Sequence, residues 1–384
     1  MKVSLIIPVY KAERYISALG TDLHRQTCRD MEVLFVEDGS PDRSGEILDR
    51  LAERDARFRV IHQVNRGTAE ARNAGIAAAA GEYLMFMDDD DRIPPGYVQE
   101  FLESIGRMRA DLVVGGWQRV AEDGRILQTR RLVRREMRAF KAQAGTSDEA
   151  GTAVNQIDGT ADMPGSVTAD KRSSGTADKQ NGGIAEMRIG GERGLEWPKF
   201  IHIAPWAKIY RASFVRRAGA RFLPYTYGED IYFQMMLYAA HPKIGYIPTV
   251  SYRWMSRETS ITNTLHRGIR KEADIFPMLE KLLEVYPGRD AYFRYFLYRH
   301  CVYHIFTSGR GAGYRRLRDE ILRCRGWLQK NDCFCPVSPF SPKLKGELAR
   351  DRMACAAMRV IMRLHMEGIF ARAYGGRDEA PENG

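Results

Sequence analysis

The stretch MFMDDDDRIP sets four carboxylates in a row, Asp88 to Asp91, directly behind an apolar run. Like charges this close repel, and several of them resist ionising together unless something positive shares them. Hard divalent cations suit oxygen donors, and an ion held jointly by one or two carboxylates and a ligand's phosphates would account for acids at the end of a buried strand. A solvated acidic turn is the alternative that an Asp run alone leaves open. Other polar groups stand behind other apolar runs: Pro8-Val9-Tyr10, then Glu37-Asp38-Gly39-Ser40, then Asn65-Arg66-Gly67 followed by Ala71-Arg72-Asn73-Ala74-Gly75. Singly each is weak, since DGS is a common turn and ARN fits any helix face. In this order, on one edge of one sheet, they surround a pocket with carboxylates, a guanidinium and an aromatic ring. Further on, Glu229-Asp230 opens a helical stretch. The positive end of the helix dipole favours carboxylates there, although a first-turn acid pair is also an ordinary helix start.

The elements that must position these groups follow from two alternating periods. VSLIIPV (3–9), EVLFVE (32–37), FRVIH (58–62), EYLMFM (82–87) and DLVVGG (111–116) are short runs rich in branched residues, and helical stretches 11–26, 42–54, 68–79 and 95–107 lie between them. Such alternation predicts an α/β fold, a mostly parallel sheet with helices on both faces. Ligands of such sheets bind beyond the carboxyl ends of the strands, where the polar groups above are placed. From about 141 to 194 the chain turns to Gly, Ala, Ser, Thr and Asp with a loose GTAD theme and no aromatic residue. It carries too little apolar surface to offset its ordering entropy and is expected to be disordered. Order is expected to resume at Trp197, with YGEDIYFQMMLYAA as a helix and KIGYIPTVSYRWM as one or two strands. Beyond 264 the chain becomes helical, basic and aromatic. A last helix over about 347–366 aligns Arg352, Arg359 and Arg363 on one side, with Ala354, Met358 and Ile361 on another. It suits either a membrane surface or packing on its own domain.

The ordered set SLIIPVYKAERYI, VLFVEDGSPDRS, NRGTAEARNAGI and GEYLMFMDDDD resembles the family 2 glycosyltransferases of GT-A fold, and the likeness continues in WAKIYRASF, YGEDIYF and YRWMSRETSIT. It covers about 1–120 and 197–264. Glu37 stands for the family's usual Asp, Asp89 for its Ser and Arg66 for its Gly. The resemblance implies a nucleotide-sugar donor, most simply a UDP-sugar, and inversion at the sugar. It places Pro8, Val9 and Tyr10 with Glu37 and Asp38 around the base, Asp38 accepting the uracil N3–H. It makes Asp88 and Asp90 the two acids of a D-x-D element that holds Mn²⁺ or Mg²⁺ against the diphosphate, with Asp89 facing the ribose or sugar. Arg72 would neutralise phosphate, with a surface salt bridge as the alternative, and Arg257 would sit in a loop closing over the diphosphate. Asp230 would be the base that takes the acceptor's proton. Glu229, about 100° around the helix, would support the acceptor or the local fold.

Four regions are therefore expected: a nucleotide-sugar-binding half at 1–120, a low-complexity insertion at 121–196, an acceptor-side half at 197–264 and a basic helical region at 265–384. The net charge of +10 over 384 residues suits anionic company. The expected partners are a nucleotide-sugar donor, a glycan or lipid-linked acceptor of cell-surface polysaccharide synthesis and an anionic membrane surface, without nucleic acid. No apolar run reaches the length of a spanning helix, MKVSLIIPVY lacks a cleavable-leader pattern, and the six cysteines have no framework spacing. The expected location is thus the cytoplasm, peripheral at the inner membrane face. Cys324, Cys333 and Cys335 lack a fourth zinc ligand, His300 and His304 lack the Glu of a zinc-protease helix, and GRGAG follows no strand. Two rivals stand beside sugar transfer. A sugar-1-phosphate nucleotidyltransferase needs a glycine-rich loop after strand one that PVYKAERYI lacks, and against a binder without turnover stands the full set of acids.

Overall fold

A computed structural model describes residues 2–131, 186–187, 201–224, 227–257, 268–270, 274–286, 290–334, 337–338 and 340–376. The expected insertion lies mostly outside these residues, and Cys335 and the part of RETSIT after Arg257 lie outside them entirely.

Strands and helices alternate through the first hundred residues as the periodicity requires. β1 (Val3–Val9), α1 (Glu13–His24), β2 (Met31–Asp38), α2 (Ser44–Arg54), β3 (Phe58–Gln63), α3 (Thr68–Ala78), β4 (Tyr83–Phe86) and α4 (Tyr97–Met108) lead to the long β5 (Leu112–Ala121). β6 (Ile126–Arg130) turns back on β5, and β7 (Glu186–Met187) pairs with β9. Both fall inside 121–196, so a range expected to be structureless contributes two strands to the sheet. β8 (Lys208–Arg211), α5 (Ala212–Arg217), α6 (Glu229–Ala239) and the single strand β9 (Ile244–Ser256) complete the α/β part. The basic region follows as α7 (Phe276–Val285), α8 (Ala291–Ser308), α9 (Tyr314–Lys330), α10 (Ala349–Arg363) and α11 (Glu367–Tyr374).

The sheet runs β3-β2-β1-β4-β8-β5-β9-β7. β1 to β4, β5 and β9 point one way, and the antiparallel β8 is wedged between β4 and β5. Strand periodicity sends alternate residues to opposite faces. Val3, Leu5, Ile7 and Val9 join one apolar cluster with α1 and α4, while Ile6, Leu34, Phe86 and Leu112 face the other. That second cluster runs without a break through α5 and α6 into α7–α11, so the C-terminal helices share a core with the sheet. α3 lies close on β1 because position 75 is glycine: a Cβ there would stand 2.3 Å from Ile6 Cγ2. His300 and His304 are core residues, Nδ1 of the first against the Phe296 carbonyl at 2.8 Å and Nε2 of the second against Glu320 at 3.0 Å.

Candidate functional site

β1, β2 and β4 are parallel neighbours, so their carboxyl ends share one edge. The residues named from the sequence gather there. At the end of β1, Pro8 and Val9 are buried and Tyr10 is 42% exposed, leaving its ring available and only the backbone of Val9. At the end of β2, Asp38 is buried and its carboxylate is largely engaged. It accepts Gln63 Nε2 at 2.7 Å and the backbone N–H groups of Arg66 and Gly67, each at 2.8 Å. A carboxylate has about four acceptor positions, so roughly one remains for a nucleobase. Glu37 accepts the Ser40 N–H at 2.5 Å and faces His62 Nδ1 at 3.4 Å. Its role is to fix the β2–α2 turn, where Gly39 takes φ +66° with Asn65 N so near that a Cβ would lie 2.7 Å away.

The four consecutive acids are kept together by being turned to four different partners. Asp88 accepts Arg72 Nη2 at 2.9 Å. Asp89 accepts the Tyr10 N–H at 3.2 Å, tying the end of β4 to the end of β1. Asp90 pairs with Arg257 Nη1, and Arg257 Nη2 donates to the Asp90 carbonyl at 3.0 Å. Asp91 is fully buried, bonded by the Tyr252 hydroxyl and, at 2.8 Å, by the Met255 N–H. Burial, reinforced by its acidic neighbours, pushes Asp89 up to about 8 and Asp90 up to about 6. Asp91 goes well above the usual carboxylate range for the same reason.

Arg72 is the hub. Only 4% exposed, it reaches Asp88 through Nη2 and, through Nη1, Asp230 at 2.8 Å and Glu229 at 3.4 Å. Burial opposes its charge, but the three carboxylates more than offset this and its pKa rises. The alternative of a surface salt bridge is thereby excluded. Phe222 lies under the guanidinium, 5.2 Å from the ring centroid. The next residue, Asn73, clamps Phe222 by accepting its N–H at 3.0 Å and donating to its carbonyl at 2.8 Å. Glu229 and Asp230 begin α6 behind Gly228 at φ +84°. The 100° between them does not separate their side chains, contrary to the expectation, because both bend to the same nitrogen. Burial pushes Glu229 to about 8, with Asp230 adding to it, and Asp230 to about 6, with Arg72 holding it down. Both lie above the ordinary carboxylate range, so the pair resists carrying two charges at neutral pH.

Arg257 packs its guanidinium over the Tyr15 ring, 3.5 Å from the centroid, and reaches Glu122 at 3.5 Å besides Asp90. Three residues that the motifs left unassigned complete the wall. Tyr252 orients Asp91, and Trp206 stacks on Tyr252 at 4.9 Å with 5° between the planes. The buried Lys208 donates to the carbonyls of His202 at 2.8 Å, Ala204 and Trp206, tying up the turn before β8. Only the WAK spacing hinted at these: Tyr252 and Trp206 meet partners distant in sequence, while Lys208 turns back on carbonyls two to six residues before it. Among the described residues no three His, Cys, Asp or Glu side chains converge as a ready-made metal cage. Asp88 and Asp90 offer two carboxylates on one strand end, the number an ion shared with a diphosphate requires. The donor set fits, with Arg72 and Arg257 in place as counter-ions.

The match over residues 4–154 is to the family described as Glycosyl transferase family 2. The uncharacterized glycosyltransferase EpsJ of Bacillus subtilis is 45% identical over 123 residues, which are 32% of this chain and 36% of that protein. The putative glycosyltransferase EpsH of the same organism is 42% identical over 121 residues, 32% of this chain and 35% of that protein. The aligned part thus spans about a third of the curated relatives' length. The fold extends further. The S. aureus TarS 1–349 structure in complex with UDP-GlcNAc superposes with a TM-score of 0.59 at 18% identity, covering 95% of this chain and 92% of that one. The chain therefore shares the GT-A fold, and a superposition over 95% of it takes in most of the C-terminal helical region.

Proposed function

We propose that the chain is an inverting, metal-dependent glycosyltransferase that moves one sugar from a nucleoside diphosphate donor to a hydroxyl of a glycan or lipid-linked acceptor in cell-surface polysaccharide synthesis. The observation that carries this reading is Arg72, bonded at once to Asp88 from the donor-side strand end and to Asp230 from α6. One guanidinium spans a candidate phosphate-side acid and a candidate base. A uridine donor is favoured by the UDP-GlcNAc bound to TarS. In this reading residues 1–120 supply the donor half and 197–264 the acceptor side.

Tyr10 offers its exposed ring to the base, with Pro8, the Val9 backbone and Asp38 beside it, and Glu37 holds the turn they rest on. Asp88 and Asp90 would hold Mn²⁺ or Mg²⁺, which when bound offsets charge on the departing diphosphate. Asp89 keeps β1 and β4 in register and faces the ribose or sugar. Arg257 closes over the diphosphate from the other side. Asp230 accepts the acceptor hydroxyl's proton as that oxygen bonds to the anomeric carbon and the carbon–oxygen bond to the diphosphate breaks. Glu229, pushed up by burial and by Asp230, would hold a proton toward an acceptor oxygen. The direct test is a screen of nucleotide sugars with purified protein and Mn²⁺, reading released nucleoside diphosphate. Pyrophosphate released from a nucleoside triphosphate and a sugar 1-phosphate would instead make the protein a nucleotidyltransferase. Binding of a nucleotide sugar with no turnover on any acceptor would make it a binder.

A further inference from the structure

Eleven large apolar side chains are exposed among the described residues, and six of them lie between 340 and 369. On α10 three share a line: Met353 is 59% exposed, Val360 53% and, just past the last turn, Leu364 64%. Spacings of seven and four residues keep them within about 40° of one another around the axis. The core-facing side of the same helix is Cys355, Met358 and Met362, about half a turn away. So α10 has two apolar sides, one buried in the protein and one facing out. Ile369 on α11, 65% exposed, stands just beyond it.

The surrounding charge has a single sign. Arg352, Arg359 and Arg363 follow one flank of the stripe and Arg350 the other. Residues 340–376 contain three acids, all drawn inward. Glu347 is buried against Arg299 at 2.7 Å, Glu367 is buried against Arg325, and Asp351, less than a third exposed, lies 3.1 Å from Arg350. Residues 265–384 as a whole hold 22 lysines and arginines against 14 acids.

We propose that α10 and α11 form a docking face for an anionic lipid surface, with Met353, Val360, Leu364 and Ile369 entering the acyl boundary and the flanking arginines lying among the headgroups. An outward apolar line bordered by cations is the physical form of an interfacial helix. A second copy of the chain fits less well, because a two-fold contact would set this basic face against itself. The inference is independent of sugar transfer and is read without any turnover.

The test is flotation of the full chain with vesicles of phosphatidylcholine alone and with phosphatidylglycerol added. Binding to the anionic vesicles is expected to exceed neutral binding by at least about tenfold and to fall steeply near 0.5 M salt, where the Debye length is roughly 4 Å. Leu364→Glu and the double variant Val360→Glu/Leu364→Glu should abolish binding at an unchanged melting temperature, since both side chains are exposed. Arg359→Gln and Arg363→Gln should each weaken it by about fivefold. The proposal is overturned by absence of binding at low salt, by equal binding to both vesicles, or by Leu364→Glu binding like the parent. It is overturned equally by a dimer that the double variant dissolves while vesicles bind neither protein, which would give the face to a second copy.

Discussion

At the scale of single residues, the acid run is stable because its members do not face one another. Asp91 is spent on Tyr252 and Met255, Asp89 on the Tyr10 backbone, and only Asp88 and Asp90 hold guanidinium partners that a metal and a diphosphate could replace. Two predictions belong here. Asp90→Ala should abolish Mn²⁺-dependent binding of nucleoside diphosphate, and Asp88→Ala should weaken it less. Calorimetry giving unchanged affinity with Mn²⁺ present would move the ion elsewhere. The second concerns the base. Asp230→Asn should keep nucleotide affinity but lower turnover by roughly 10²–10⁴, the usual contribution of general-base catalysis. In the parent, kcat/KM should rise as pH increases through about 6, where Asp230 of the free protein loses its proton. The Asn variant should lose that limb, and Glu229→Gln should cost less. If Glu229→Gln is instead the inactive one, the roles are reversed.

At the scale of elements, α3 joins the two parts of the site with consecutive residues. Arg72 reaches across to α6 and Asn73 holds the backbone of Phe222, whose ring supports Arg72 and stacks on Phe233 at 4.2 Å. Asn73→Ala leaves a buried N–H and a buried carbonyl without their partner, a loss of about 1–3 kcal/mol. The melting temperature should fall, and turnover should fall further than stability alone explains, because the support under Arg72 loosens. A variant as stable and active as the parent would show the clamp to be incidental. The strand ends bearing Tyr10, Asp38 and Asp88 were legible from hydrophobic period alone, since each local run fixes its own strand and the parallel order puts their carboxyl ends on one edge. The wedge of antiparallel β8 between β4 and β5 was not, because a four-residue strand has no periodicity to read. Nor was the shared grip of Arg72 on Glu229 and Asp230, a contact across more than 150 residues. The expected insertion over 121–196 failed at its edges for a third reason: composition averages over a window, while β6 and β7 need only five and two residues against a sheet already formed.

For the whole molecule, the site's buried acids make folding depend on pH, and opposing groups obscure this in any single curve. His202 and His300, pushed down to about 3 by burial, add stability as pH rises toward their ordinary value near 6.5. Glu229 works the other way. Its folded value is about 8, against an ordinary carboxylate value near 4.3. Between these pH values the folded chain keeps a proton that the unfolded chain has released, so the contribution of Glu229 falls as pH rises through this window and levels off above about 8. Gln at this position cannot titrate and resembles the protonated acid in shape and polarity. The histidine terms are common to both proteins and cancel in the difference. We therefore expect Glu229→Gln to melt close to the parent at pH 5 and above it by a few °C, in rough proportion to the free-energy gap, at pH 8.5. Thermal unfolding of the two proteins without ligand, at half-unit steps from pH 5 to 9, measures the gap. A gap that stays constant across the series would mean that Glu229 is charged throughout, paired with Arg72 as a plain ion pair and with no proton to offer an acceptor.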